Sequence, residues 1–262
     1  RLSLSLGLPI GYGTRSTYLE HDGVKRHTMQ NGGVGDLRLM GHLWILDPDT
    51  HPDHNIQLGL GLKGPTGNYQ AKDYSYRPSG RVLRPVDPTI QSGDGGWGIF
   101  LSAQAFQKVF TSTSIYFQGT YLSNPREMNG TQTPFGDIPA LTGGDIGYII
   151  DSVPDQYVAR LGVTHTIWPE QGLSATLGVR AEGVPVRDLL GGSQGYRLPG
   201  HAVSIEPGFT IGLGKNFFEL TVPIAAYRYA SKSLADKRTN SPVGGIATFA
   251  DFQIITSYSY RF

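Results

Sequence analysis

The chain has 262 residues, of which 16% are charged, and its formal net charge is only +1. A balance so close to neutral gives no electrostatic basis for a nucleic-acid partner. The chain contains no cysteine, which excludes a disulfide framework and thiol chemistry. No run of about 18 or more apolar residues occurs, which excludes a transmembrane helix. Because the chain begins at Arg1 without Met or a signal-like segment, we expect a processed or truncated form.

The first predicted element is the segment RLSLSLGL, in which leucine alternates with serine and glycine. A period of two places successive side chains on opposite faces of a β-strand. The alternation recurs along the chain, and each segment has one apolar face and one mostly polar face. Ten strands are predicted: Arg1–Leu8, Asp36–Leu46, Ile56–Lys63, Trp97–Phe106, Ser114–Leu122, Tyr157–Thr164, Leu173–Glu182, Val203–Ile211, Phe218–Ala226 and Asp251–Phe262.

The connections between these strands alternate between long and short. Polar segments such as Gly64 to Gly96 and Ser123 to Asp155 alternate with brief turns, of which PEQG is one. Outer-membrane barrels have an even strand number, apolar outer faces, short periplasmic turns and long extracellular loops. We therefore predict one all-β domain, residues 1–262, that forms a closed antiparallel transmembrane β-barrel. A soluble β-sandwich would also alternate, but it has no reason to keep this order of loop lengths.

The last segment, DFQIITSYSYRF, carries aromatic side chains on one parity at the end of the chain: Tyr258, Tyr260 and Phe262. Aromatic girdles mark the two interfaces of an outer-membrane barrel. We take these residues as an outer-membrane C-terminal signature. It predicts that the protein is located in the outer membrane of a Gram-negative-type cell envelope, with the lipid bilayer as its partner. Pro207 and Pro223 cannot donate to a ladder, so they predict bulges or strand ends.

Four short sequence segments lie mainly in predicted loops and turns: SLSLGLPIGYGTRS (residues 3–16), LGLKGPTGNY (60–69), QSGDGGWG (91–98) and SVPDQY (152–157). Together with the closing aromatic strand, they resemble the outer-membrane β-barrel family of transporters associated with the meta-pathway of phenol degradation. The resemblance implies passive passage of small solutes, hydrophobic or aromatic compounds among them, with no cofactor and no catalytic residues. It also implies a further hairpin before the matched segment, and therefore a twelve-stranded barrel.

If the apolar parity faces lipid, the other parity faces the lumen. Its ionisable side chains are the candidate lumen-lining residues: Asp36, Arg38, His42, Lys63, Arg160, Arg180, Glu182, Glu206, Glu219 and Asp251. Neighbouring strands carry both signs, so we expect cross-strand pairs. Two hypotheses stay open. The charges line a polar pore that selects solutes by size and charge, or they form a salt-bridge network that fills a narrow barrel.

The second hypothesis makes the chain a structural or assembly barrel. Its long loops would then contact other copies in a homo-oligomer, or other proteins. In a channel, the same loops would fold inward as a constriction that binds solute. Loops of this length are uncommon unless they are functional or disordered.

One turn carries five side chains of metal-binding type: Asp47, Asp49, His51, Asp53 and His54. Carboxylates and imidazoles this close could bind a divalent ion. Their spacing matches no known metal loop, and Pro, Asp and His are ordinary turn residues. A solvated turn is the favoured interpretation, so we predict no metal.

A membrane-embedded hydrolase is the third hypothesis. A serine nucleophile needs a histidine base within hydrogen-bond reach. His42 is the only histidine predicted mid-strand on the lumen face, and no serine near a histidine stands in a recognisable motif. We therefore predict no enzymatic activity.

Overall fold

The computed structural model describes residues 1–241, 245, 247 and 249–260. Strands account for 57% of the chain and helices for 7%, so the predicted all-β class is confirmed. None of the helices in this part of the chain has the length and apolar character needed to cross a membrane.

The strands are β1 (Leu2–Gly7), β2 (Ile10–Thr17), β3 (His27–Val34), β4 (Leu37–Trp44), β5 (His54–Gly64), β6 (Lys72–Arg77), β7 (Gly80–Pro85), β8 (Gly98–Phe110), β9 (Thr113–Ser123), β10 (Met128–Gln132), β11 (Ile150–Ser152), β12 (Gln156–Trp168), β13 (Leu173–Val184), β14 (Gly200–Leu213), β15 (Asn216–Thr221), β16 (Ile224–Ala230) and β17 (Ile255–Tyr260). The short helices are α1 (Pro139–Thr142), α2 (Ile146–Ile149) and α3 (Leu234–Arg238), with 3-10 turns at Pro88–Ile90 and Pro169–Gln171.

One antiparallel sheet organises the chain. Its order is β1-β4-β5-β8-β9-β12-β13-β14-β15-β17, and β16 also pairs with β14. Because β15 and β16 lie end to end along β14, the eleven strands fill ten positions, which correspond to the ten predicted strands. The sheet curls into a half-barrel. Among the described residues no ladder joins β1 to β17, so these two strands form its edges.

The break between β15 and β16 is located by two prolines. Pro223 lies in the break, as its predicted role as a strand end requires. Pro207 continues β14 but has no N–H, and its carbonyl accepts from the backbone N–H of Val222 at 2.9 Å. Pro207 lies opposite Val222, and Pro223 lies opposite Glu206, in the gap between the β14–β15 and β14–β16 ladders. The missing N–H donors therefore fall where no ladder bond is needed.

The last strand is shorter than predicted. It begins at Ile255, because the preceding residues make single contacts around the β15–β16 break instead of a continuous ladder. The carbonyl of Asp251 accepts from Ala225 N at 2.9 Å, and Gln253 N donates to Pro223 O at 3.0 Å. Tyr258 and Tyr260 lie in β17. Phe262 lies outside the described residues.

The apolar parity of the sheet is exposed. Leu60 of β5 is 62% exposed and Leu161 of β12 is 60% exposed. Other exposed members of this outer face are Leu4, Leu6, Leu39, Leu43, Leu58, Leu101, Leu177, Val179, Ile205, Phe209, Phe218 and Leu220. By contrast, Lys63 and Glu206 of the opposite parity are fully buried. The sheet is thus apolar on its outer face and polar on its inner face.

All five long connections leave the same end of the sheet. Their described parts form what we call the loop layer (residues 8–36, 65–97, 124–155, 185–199 and 231–254). It contains three two-stranded antiparallel sheets: the hairpins β2–β3 and β6–β7, and the pair β10–β11, whose strands are separated by α1 and α2. The prediction that these segments lack strands is therefore wrong. Their strands mix Gly and polar residues with few apolar ones, so no regular apolar alternation reveals them.

The loops hold one another through buried contacts. A small core of Met29, Ala71 and Val86 joins the first and second loops. In the fourth loop the fully buried Arg197 guanidinium donates to Asp188 at 2.8 and 2.5 Å, and it also donates to Ser152 Oγ of the third loop at 2.6 Å. Connections that are distant in sequence are thereby fixed against each other.

One guanidinium in the loop layer serves two buried carboxyls. Arg15 Nε lies 2.7 Å from Glu20 Oε1 and 3.3 Å from Asp87 Oδ2. Burial, together with the neighbouring Asp87 charge, raises the pKa of Glu20 to about 7. One arginine cannot neutralise two desolvated carboxylates, and the raised pKa keeps Glu20 protonated up to about neutral pH.

We predict that Glu20→Gln removes much of the pH dependence of stability between about pH 5 and pH 8. Since the pKa of Glu20 rises from 4.5 to about 7 on folding, its contribution is full below the lower value and is lost as pH rises through the upper one. The expected loss in the wild type is on the order of 1–3 kcal/mol. Thermal unfolding in detergent measures it.

The matched control is Asp22→Asn, which removes an exposed carboxyl of the same turn whose pKa is lowered by backbone N–H groups of Lys25 and Val24. This variant should follow the wild-type profile over that range. Equal slopes for wild type and Glu20→Gln would contradict the assignment.

Candidate functional site

A row of polar side chains crosses the inner face of the sheet. Successive Cα partners on five neighbouring strands are Gln57, Gln104, Gln118, Arg160 and Arg180. Gln118 Nε2 donates to Gln104 Oε1 at 3.4 Å, and Arg160 Nη1 donates to Gln118 Oε1 at 3.0 Å. The antiparallel register therefore places polar groups from distant parts of the chain side by side.

Two arginines of this row and three nearby glutamates form what we call the wall charge cluster: Arg160, Arg180, Glu182, Glu206 and Glu219. Arg160 Nε donates to Glu206 Oε1 at 2.6 Å, and its guanidinium lies 3.7 Å from Glu219. Arg180 donates to Glu182 Oε2 at 3.0 and 2.6 Å and lies 3.7 Å from Glu206. The pairs Arg160–Glu206, Arg160–Glu219 and Arg180–Glu206 join different strands, as predicted, whereas Arg180 and Glu182 both lie in β13. Glu182 also accepts from Gln253 Nε2 at 2.8 Å.

Glycines allow Arg160 to reach past its neighbouring strand. Glu206 of β14 is the register partner of Gly178 in β13, which in turn pairs with Gly162 of β12. A Cβ at Gly178 would lie 2.6 Å from the Tyr116 hydroxyl oxygen, and one at Gly162 would lie 2.8 Å from it. Because both positions lack side chains, Tyr116 covers them and Arg160 crosses β13 to Glu206.

The wall charge cluster combines both signs in a confined space. Two arginines and three glutamates give a formal charge of −1, and Glu206 is only 1% exposed. Buried charges are tolerated when they are paired and hydrogen-bonded. The cluster can therefore attract polar parts of a solute of either sign, or it can hold the wall strands together.

A second group of predicted residues lies at the loop end of the sheet. Lys63 contacts Asp94 and lies 3.7 Å from Asp36 Oδ2. Asp36 also accepts from the backbone N–H groups of Gly67 at 2.9 Å and Asp94 at 3.2 Å. This group joins β4 and β5 to the second long loop, so it anchors the loop layer to the sheet.

The remaining predicted residues stand apart from both groups. The Arg38 guanidinium lies 5.5 Å from the centre of the Phe100 ring, and His42 Nε2 is 3.0 Å from Ser5 Oγ. Asp251 precedes the last strand and forms an exposed ion pair with Arg228. The structure therefore gathers five of the ten residues into the wall charge cluster, brings Asp36 and Lys63 together at the loop end, and places the other three elsewhere.

The Asp- and His-rich turn, which contains the five candidate metal ligands, is stabilised by hydrogen bonds within the turn. Asp47 Oδ1 accepts from Asp49 N at 3.1 Å, and Asp47 O accepts from His51 N at 2.9 Å. Asp53 pairs with a lysine of β8 at 3.0 Å, and the His51 and His54 rings lie 5.4 Å apart. Across the described ranges, no group of three or more His, Cys, Asp or Glu side chains is arranged to hold a metal ion.

Sequence reasoning listed charges and so missed uncharged partners of the same row: Gln104, Gln118, Tyr116 and Gln253. Each of the first three lies on the inner parity of a predicted strand, so the alternation already carried the signal. Asp94 gave no such signal, because it belongs to a loop.

Neither protein-family models nor curated proteins match this chain.

We predict that Arg160→Ala destabilises the protein by about 3–5 kcal/mol, the usual cost of leaving a buried charge without its partner. Glu206 would keep only the more distant Arg180. The double variant Arg160→Ala/Glu206→Ala should recover part of the loss, since it removes the orphaned carboxylate. Thermal unfolding in detergent measures all three proteins.

Arg228→Ala is the matched control, because it breaks an exposed pair with Asp251 and should cost less than about 1 kcal/mol. An Arg160→Ala loss no larger than that of this control, or a double variant without recovery, would argue against the assigned role of the cluster.

Proposed function

We propose that the chain is an outer-membrane β-barrel channel for passive passage of small solutes, hydrophobic or aromatic compounds among them. The observation that carries this proposal is the exposed apolar outer face around a polar inner face. Burial of apolar surface away from water is favourable by roughly 25 cal/mol per Å². A continuous outer face of Leu, Val, Ile and Phe therefore favours a hydrocarbon surrounding, as in outer-membrane barrels.

Closure of the barrel follows from the same proposal. An open sheet edge in hydrocarbon leaves backbone N–H and C=O groups unpaired, at a cost of several kcal/mol each. β1 runs towards the loop layer and β17 runs away from it, so they could pair directly in antiparallel fashion. One further hairpin between them would preserve the same directions. These options give ten or twelve strands, and the family resemblance favours twelve.

Selectivity in such a channel would come from the polar row and the wall charge cluster. Amide and paired charged groups can exchange hydrogen bonds with a passing solute, and charges of both signs limit the preference for either ion type. Movement follows the concentration gradient, so the proposed activity requires no cofactor. On this proposal the loop layer is extracellular and the short turns are periplasmic.

The second candidate is a structural or assembly barrel. The paired charges and the buried Glu206 favour it, because a filled lumen needs such a network. In that case the loop layer would contact other copies of the chain. This candidate predicts that the network serves stability alone.

Single-channel recording in planar bilayers separates the two candidates. We expect the wild type to give steady current steps. We expect Arg160→Ala/Arg180→Ala to shift the reversal potential in a salt gradient towards cation selectivity, since removal of two cations leaves three glutamates. Lys215→Ala, which removes a cation from the exposed turn between β14 and β15, should leave selectivity unchanged. Absence of current from folded wild type would refute the channel and favour the assembly barrel.

A further inference from the structure

The loop layer contains a cavity of about 490 Å³ that is separate from the wall charge cluster. Four of the five long connections form its wall, with apolar contributions from Leu19, Phe135, Leu141, Leu198 and Pro199. Cavities of roughly 300–1,000 Å³ with mostly apolar linings are typical of small-molecule sites. Its size and lining thus fit a small organic ligand.

The one cation that lines this cavity is already paired, and the one carboxylate is hydrogen-bonded. Arg197 is held by Asp188 and Ser152. Asp236 Oδ2 accepts from Ser233 N at 2.8 Å, and Asp236 Oδ1 accepts from the Tyr148 hydroxyl at 2.7 Å. An anionic ligand would lose its hydration without gaining a free cation, because Arg197 is occupied by Asp188, and it would also meet the carboxylate of Asp236. The cavity chemistry therefore selects against anionic ligands.

Aromatic rings shape one side of the cavity. Phe135 and Tyr196 pack edge to face, with ring centres 5.3 Å apart and planes at 87°. Tyr148 adds a third ring beside Phe135 and Tyr196 in the lining. Aromatic pairs favour edge-to-face and offset arrangements with a further ring. A flat aromatic ligand matches this wall better than a flexible chain does.

The position of the cavity connects it to the barrel. Tyr196, Arg197 and Leu198 line both this cavity and a smaller one of about 160 Å³. The smaller cavity also reaches Gln156 at the start of β12 and Val184 at the end of β13. The segment 196–198 therefore stands between the loop cavity and the ends of the wall strands.

We propose that the loop-layer cavity binds a small aromatic molecule without negative charge on its way to the barrel interior. The direction of travel rests on the proposed channel. Binding itself does not, because it requires only the folded loop layer. The two can therefore fail separately.

Equilibrium binding of 2-naphthol to the full chain in detergent tests the inference, with 2-naphthoate as the charged partner of similar shape. Leu141→Glu places a carboxylate in the lining and should weaken 2-naphthol binding by at least about tenfold. Ile146→Glu is the matched control: Leu141 is 43% exposed and Ile146 is 42% exposed, both lie on short helices, and Ile146 is outside the lining. It should retain wild-type affinity.

Ala140→Trp, which fills the cavity without adding charge, provides a second variant if Leu141→Glu fails to fold, and it should weaken binding as well. Saturable 2-naphthol binding that both lining variants reduce supports the site. Overturning results are absent saturable binding, equal affinity for 2-naphthoate, or equal losses in Leu141→Glu and Ile146→Glu. If the wild type gives current steps but does not bind 2-naphthol, the inferred binding site is contradicted and the proposed channel is not.

Discussion

The structure depends on the opposite polarity of the two faces of one curled sheet. In a water-soluble protein the concave face of such a sheet would carry the leucines and the outer face the charges. Here Leu60 and Leu161 are exposed, while Lys63 and Glu206 are buried. The inner face can remain polar because its charges are paired, and the exposed apolar outer face is the basis of the proposed membrane insertion. Both proposals of function follow from this inversion.

The polar interior is built by register and small residues together. Antiparallel pairing aligns Gln118 with Arg160, and Gly162 and Gly178 leave room for Tyr116 and for the Arg160–Glu206 contact. Larger side chains at these glycines would displace Tyr116 or separate the charges. The same strands end in the loop layer, where the contacts are of another kind. There, ion pairs such as Arg15–Asp87 join segments that share no ladder.

Much of the sheet could be predicted from the sequence, because a period of two is a local property. The ten strand positions and the pairing of Arg160 and Arg180 with glutamates follow from parity and strand order. The predicted start of β17 is wrong. Asp251 keeps the alternation, but it lies beside the β15–β16 break at Pro223 and makes a single backbone hydrogen bond there instead of joining the ladder. The loop hairpins, Asp94 and the cavity beside Phe135 could not be predicted. They arise from contacts between loops, which leave no periodic pattern.

The central claim is that the leucine parity contacts lipid, and spin-label accessibility measures this most directly. The chain has no cysteine, so single substitutions can be labelled cleanly in lipid vesicles. We predict that Leu60→Cys and Phe117→Cys labels are relaxed by oxygen, which concentrates in hydrocarbon, whereas Gln57→Cys and Gln118→Cys labels respond to a water-soluble nickel reagent. Equal, water-like accessibility at all four positions would contradict the account.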